Sequence, residues 1–317
     1  GQELMRADTV AEARTAIGTG RKNLLINGAM QVSQRGDYTS TPLSVGGAKT
    51  YAIDRWFTYS SISSEVLHGL VTLPNGITAN TFKVTATATG TSWLHPAQYV
   101  EWEKHFRGRE ITVSGWVRTT MAGQKIRVCD GTDCVQPGDV IPNDGSWHYI
   151  TGTHTLPTPA TDPGHMQIHP AFGTDTVVVG DYIEFTHMQV EFGPIATDFE
   201  HRSYGEELAL CQRYFQRISG GGDAFVVAAK GQGSATIDAT IPLNVPLRAS
   251  PTMNSINARA FYDNSSFVSS TGAPTANSYV DGNILLAIQH GGFSGLTNNK
   301  IYNWGPLSSA IEIDAEL

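Results

Sequence analysis

The sequence has little cysteine, little charge and no long apolar run, and each shortage excludes a class of protein. Three Cys in 317 residues are too few for a scaffold held together by disulfides. Charged residues make up only 16% of the chain, the net charge is −8 and no basic block occurs, which argues against a nucleic-acid partner. No apolar stretch is long enough to span a bilayer and no signal-peptide pattern opens the chain, so we predict no membrane insertion. The chain opens with Gly1, and the sequence leaves open whether residues precede it.

Two of the three cysteines lie close together. Cys129 and Cys134 flank the turn-forming residues "DGTD", so they could face each other across a hairpin. Proteins that fold in the cytoplasm usually keep their thiols reduced. The sequence therefore leaves open whether this pair is bonded.

The residues that are present favour a chain that is mostly β. Hydrophobic residues make up 40% of the sequence, and 33 Gly punctuate short stretches of strand length. Alternation is clearest in "ITVSGWV", where Ile111, Val113 and Val117 share one strand face and Trp116 points to the other. About ten short antiparallel strands over residues 22–200 are typical of a β-sandwich or jelly roll.

Two short helices are predicted outside these strands. One covers residues 8–18, where Thr9 and Glu12 form a capping box and Gly18 ends the helix. The other begins after Ser203, which forms a capping box with Glu206. Its predicted apolar stripe consists of Tyr204, Leu208, Cys211 and Phe215.

These patterns divide the chain into four segments. They are an N-terminal helical segment (1–21), a β-sandwich (22–200), a connector helix (201–217) and a C-terminal β module (218–317). The helix after Ser203 thus connects two β modules.

Several blocks resemble the tail-fibre and receptor-binding proteins of tailed bacteriophages. They are "GRKNLLINGAMQVSQRG", "YAIDRW", "EITVSGWVR", "DGSWHYITGTHTL", "MQVEFGPIATDFEHRSYGEELALCQRYF", "IPLNVPLRASPTM" and "SGLTNNKIYNWGPLSSAIEIDAEL". The resemblance implies a trimeric virion appendage with a carbohydrate-binding-like jelly roll. It implies other virion proteins as partners, bound through the N-terminal segment, and a host-surface polysaccharide or other envelope receptor as ligand.

Motifs for catalysis or metal binding are weak. Glu101 and Glu103 in "YVEWEKHF" are two apart on a predicted strand, but such a pair does not by itself flank a cleft, so we predict no enzyme activity. His165 and His169 share a strand face without supporting ligands, so we predict no zinc site. No cofactor is expected. A structural calcium ion fits the jelly roll that the resemblance implies, although the sequence identifies no ligands for it.

Aromatic residues matter most for an adhesin, because sugar rings stack on flat side chains. Trp56, Trp116 and Trp147 lie in or beside strong strands, which favours the core. Trp304, Tyr302, Trp93 and His95 lie near loop-forming residues and are the predicted ligand-binding residues.

The sequence as a whole favours a non-catalytic tail fibre, located in the virion and binding a host-surface glycan or other envelope receptor as a homotrimer. Two alternatives remain. One is a capsid head-fibre or decoration protein, and the other is a tailspike glycanase, although the long parallel β-helix repeats typical of tailspikes are absent.

Overall fold

In the computed structural model of the protein, the chain forms two compact units that divide between Glu207 and Leu208. The described residues are 22–92, 94–173, 175–218, 227–253, 256–261, 267–272, 275–278, 284–306 and 310–317. They are mostly β-strand, with one α-helix, α1 (Tyr204–Gln212), which confirms the predicted fold class. The helix predicted over residues 8–18 lies outside them. None of the helical segments described has the length and hydrophobicity needed to cross a membrane.

The first unit is a sandwich of two antiparallel sheets. Its described strands are β1 (Leu43–Val45), β2 (Lys49–Ile53), β3 (Trp56–Ser60), β4 (Ser64–Thr72), β5 (Thr78–Ala86), β6 (Gly90–Ser92), β7 (Leu94–Glu101), β8 (Glu110–Thr119), β9 (Lys125–Cys129), β10 (Cys134–Val135), β11 (His148–Thr155), β12 (His165–Phe172), β13 (Asp175–Val177) and β14 (Tyr182–Phe192). The first sheet has the order β1-β4-β5-β14-β8-β11 and the second has the order β10-β9-β12-β7-β3-β2. β6 and β13 pair separately. Because neighbours in each sheet are mostly distant in sequence, the chain crosses repeatedly between the two, as in a jelly roll.

The inner faces of both sheets share one hydrophobic core. Trp56 of the second sheet lies fully buried against Phe185 of the first, with ring centroids 4.9 Å apart. Its indole N–H donates to the carbonyl of Asn27 over 2.9 Å, so the buried polar atom is satisfied. The predicted core position of Trp56 is confirmed.

Strand β8 shows why alternation determines this core. Ile111, Val113 and Val117 are fully buried, whereas Trp116 is half-buried on the opposite face. Gly115 shares the buried side, where a Cβ atom would lie 2.3 Å from the Sδ atom of Met188. A larger residue there would clash with the packed core.

Cys129 and Cys134 are disulfide-bonded, which answers the question that the sequence left open. They are directly paired across the antiparallel strands β9 and β10, and their Cα atoms are 4.0 Å apart. The bond therefore links the two strands at the turn that the "DGTD" residues form. Cys211 is buried and forms no disulfide.

Helix α1 begins as predicted but buries a different side. The backbone N–H of Ser203 donates to the carboxylate of Glu206 over 3.0 Å, which confirms the capping box. The predicted apolar stripe is wrong at both ends, because Tyr204 is 55% exposed and Phe215 lies in a strand beyond the helix. The buried positions include Glu207, whose carboxylate accepts hydrogen bonds from Arg202 and the backbone of Asn27.

The second unit contains two further antiparallel sheets. Its described strands are β15 (Phe215–Ile218), β16 (Val227–Gln232), β17 (Thr236–Pro242), β18 (Thr252–Met253), β19 (Ile256–Phe261), β20 (Phe267–Gly272), β21 (Thr275–Ser278), β22 (Leu285–His290), β23 (Ile301–Pro306) and β24 (Ile311–Asp314). One sheet has the order β20-β19-β23-β16-β17-β22-β21 and the other has the order β15-β24-β18. Both contribute to one core, which includes Ile288, Trp304 and Ile313.

Candidate functional site

A row of aromatic rings crosses the outer face of the second sheet in the first unit. Tyr51, Phe57, Tyr99 and His165, here called the aromatic ladder, follow one another across β2, β3, β7 and β12. The successive ring centroids are 5.3, 4.9 and 4.4 Å apart. The ladder arises because alternate residues of a strand share a face and the four strands are neighbours in the sheet.

A lysine side chain lies across the aromatic ladder. The Nζ atom of exposed Lys49 is 5.3, 5.5 and 4.9 Å from the ring centroids of Tyr51, Phe57 and Tyr99. The guanidinium of Arg35 lies 5.0 Å from the centroid of Tyr51. These cations are attracted to the ring faces and supply hydrogen-bond donors at the surface of the ladder.

Polar groups border the aromatic ladder on β7 and β12. Gln167 is the register partner of Tyr99, and within the described part of the chain its side-chain amide has no hydrogen-bond partner. Glu101 is the register partner of His165 and is half-buried. Burial raises the pKa of the Tyr99 hydroxyl, which therefore remains a protonated donor at neutral pH. Aromatic surfaces with donors and acceptors beside them are the groups that bind the C–H faces and hydroxyls of a sugar.

The predicted site residue His95 lies on the same outer face but is buried. It is 4% exposed, and its ring centroid is 3.9 Å from that of Phe172. His169 contacts the same cluster at 5.7 Å from His95. The expectation of an exposed imidazole at His95 is therefore wrong, because neighbouring rings on the sheet cover it.

The burial of His95 should make folding sensitive to acid. Desolvation, together with the charge of Arg127, lowers the pKa of His95 from 6.5 to about 3. The unfolded chain then binds the proton more tightly than the folded chain, so stability is full above about pH 6.5 and is lost as the pH falls toward 3. We expect the melting temperature to fall between pH 6.5 and pH 4, and to fall less steeply in a His95→Phe variant. An unchanged slope in that variant would show that His95 does not contribute to the acid sensitivity.

The other predicted site residues do not form an exposed surface in the described structure. Trp304 is fully buried and its indole N–H donates to Nδ1 of His290 over 3.0 Å. Tyr302 is 5% exposed, and its hydroxyl oxygen accepts from the backbone N–H of Thr297. The expectation of exposed rings at these two positions is wrong, because strand alternation directs both into the second unit's core. Trp93 lies outside the described residues.

Two tryptophans that were predicted in the core are half-exposed instead. Trp116 and Trp147 lie on the outer face of the first sheet, where Trp116 contacts Tyr149. The aromatic ladder itself was missed by sequence reasoning. A signal for it exists in the alternating aromatic positions of "TYAIDRWF" and "QYVEWE", but the order of the strands in the sheet was needed to bring those rings together.

The carboxylates considered for catalysis do not share a strand. β7 ends at Glu101, and Glu103 precedes a 3-10 turn (Lys104–Phe106) with its carboxylate 3.2 Å from Nδ1 of His105. The pairing on one strand face is therefore wrong, because the chain turns between the two residues. No group of three or more His, Cys, Asp or Glu suited to a metal ion occurs among the residues described.

Comparisons with known proteins give structural likeness only. No protein-family model matches the chain, and no curated protein matches it. The xylan-binding domain CBM22-1 of Paenibacillus barcinonensis Xyn10C is 12% identical, with a TM-score of 0.33, over 55% of this chain and 96% of that one. A CBM4 structure is 16% identical, with a TM-score of 0.33, over 53% and 98%. Tailspike protein 4 of bacteriophage CBA120 is 16% identical, with a TM-score of 0.34, over 54% of this chain but 21% of that one. Likeness at this level does not establish a function.

Proposed function

We propose that this chain is a non-catalytic virion appendage protein of the tail-fibre type that binds a host-surface polysaccharide through the aromatic ladder. The observation that carries the proposal is the row of four rings on the outer face of one sheet, in which Tyr51, Tyr99 and His165 are half-buried and Phe57, at 2% exposed, joins them from below. The three centroid spacings, each close to 5 Å, suit a chain of sugar rings lying along the face.

Polar side chains complete the proposed site. The side-chain amide of Gln167 offers both a donor and an acceptor beside the ring of Tyr99. Sugar hydroxyls need both kinds of partner, whereas the rings supply apolar surface at low entropic cost because they are held by the strands. A face of this kind binds one glycan weakly.

The sequence blocks that resemble phage tail-fibre proteins support the virion role. In this proposal three copies assemble as a homotrimer, attached to the virion through the N-terminal segment. Three weak sites on one fibre then gain by avidity when they meet a repetitive polysaccharide. Light scattering that gives a stable monomer at micromolar concentration would contradict the homotrimer.

Replacing Tyr99 with alanine tests the ladder. We expect binding to bacterial capsular and O-antigen polysaccharides on a glycan array to weaken roughly tenfold, because the variant loses the ring that contacts Phe57, His165 and Lys49. Tyr204→Ala is the matched control, since Tyr204 is 55% exposed on helix α1 and should retain wild-type binding.

Two results would contradict the proposal. One is unchanged polysaccharide binding by Tyr99→Ala, with a melting temperature that shows an intact fold. The other is release of reducing ends from the bound polysaccharide, which would favour the tailspike glycanase over a binding protein.

A further inference from the structure

A second aromatic surface lies on the outer face of the first sheet. Trp116, Trp147 and Tyr149, here called the tryptophan face, come from β8, from the residue before β11 and from β11. Trp116 and Tyr149 are register partners whose ring centroids are 5.4 Å apart at an interplanar angle of 62°. Tyr149 is 47% exposed, and both indoles are half-buried. Large rings left partly in water on one face commonly mark a binding surface.

A fixed ion pair lies beside the tryptophan face. Nε and Nη2 of Arg118 donate to Oε2 of Glu184 over 2.9 and 2.7 Å, and Thr81 donates to Oε1 over 2.7 Å. The Glu184 side chain is 3% exposed, so both its oxygens are buried and already occupied. The guanidinium of Arg118 lies 4.8 Å from the ring centroid of Trp147. The pair therefore holds Arg118 against the ring of Trp147.

Donors lie close to the two indoles of this surface. Within the described residues, Arg118 uses only two of its nitrogens, and neither the indole N–H of Trp116 nor that of Trp147 has an acceptor. Lys83 lies on β5, two strands from Arg118 and beyond Glu184 of β14, with its Nζ atom 4.2 Å from the ring centroid of Tyr182. Glu65 lies one strand further, on β4. Donors and positive charge thus lie next to exposed rings.

From this arrangement we infer that the tryptophan face is a second carbohydrate site, independent of the aromatic ladder, and that it takes a carboxylated glycan. The sugar ring stacks on Trp116, with Tyr149 at its edge, and its carboxylate accepts from Arg118, while Lys83 adds positive charge on the same face. Charge complementarity selects the acid over a neutral sugar, because Arg118 and Lys83 are cationic donors on this face, whereas the Glu184 side chain is 3% exposed. This site would let one chain hold two different stretches of an envelope polysaccharide.

Calorimetry with a short oligogalacturonate and its methyl ester tests the inference on the full chain. We expect the acid to bind roughly tenfold more tightly than the ester, and its binding to weaken with added salt. Trp116→Ala should weaken binding of the acid roughly tenfold, because the stacking surface is lost. Lys83→Gln should weaken binding of the acid but leave binding of the ester unchanged. Tyr204→Ala is again the matched control.

Three results would overturn the inference. They are equal binding of acid and ester, no binding of the acid by wild-type protein at millimolar concentration, and wild-type affinity in a folded Trp116→Ala variant. If Tyr99→Ala instead loses binding of the acid, the acid binds at the aromatic ladder. Binding of the acid that Trp116→Ala weakens and Tyr99→Ala leaves unchanged would separate the two sites.

Discussion

Replacing Arg202 with alanine should lower the free energy of unfolding of the first unit by about 3–5 kcal/mol. The guanidinium is 7% exposed and forms ion pairs with Glu200 and Glu207 at 2.9 and 3.3 Å. It also donates to the backbone carbonyls of Asn23 and Leu25. Truncation therefore leaves buried carboxylates and carbonyls without their partner, which costs more than the pair contributes when intact.

Calorimetric unfolding of the variants measures this effect. Arg217→Ala is the control, because its ion pair with Glu312 is 3.9 Å long and more than a third exposed, and such pairs contribute about 0–1 kcal/mol. Removing both charges, as Arg202→Met with Glu207→Gln, should recover part of the loss. A loss below about 1 kcal/mol for Arg202→Ala would show that this cluster does not stabilise the unit.

Replacing Trp304 with alanine should destabilise the second unit by about 3–5 kcal/mol. The ring is fully buried, so its removal leaves a large cavity beside Ile288 and Ile313. It also removes the donor to Nδ1 of the buried His290. Because Trp304 has no exposed surface, polysaccharide binding by the first unit should not change.

Trp304→Phe is the matched variant, since it keeps most of the apolar volume but loses the indole N–H. It should cost about 1–3 kcal/mol, the usual penalty for a buried polar atom left without its partner. Denaturant unfolding measures the free energy of unfolding of each variant and so distinguishes the two costs. A stable Trp304→Ala protein with weakened glycan binding would restore Trp304 to the binding surface and contradict its assignment to the core.

The capping box of α1 was predictable from the sequence, but the buried side of the helix was not. Ser203 and Glu206 are three residues apart, and their contact is local. The burial of Glu207 depends on Arg202 and on the backbone of Asn27, which is 180 residues away in sequence. The periodicity of a helix cannot show a contact with a residue so distant in sequence. Tyr204 was therefore predicted to be buried, but it is exposed.

The disulfide was likewise only partly predictable from the sequence. The turn between Cys129 and Cys134 was evident from "DGTD", and the hairpin follows from it. Whether the thiols meet depends on the register of β9 and β10, which places the two residues directly opposite each other.

The sequence by itself determined that this chain is mostly β, that a capped helix begins after Ser203 and that alternating residues of β8 face a core. These features depend on neighbours within a few positions along the chain. Only the tertiary structure decided how completely each strand face is covered. Trp116 and Trp304 both lie in alternating strands, yet the first is half-exposed and the second is fully buried. The physical reason is that alternation only sorts residues between the two faces of a strand, whereas a face becomes interior only when another element packs against it.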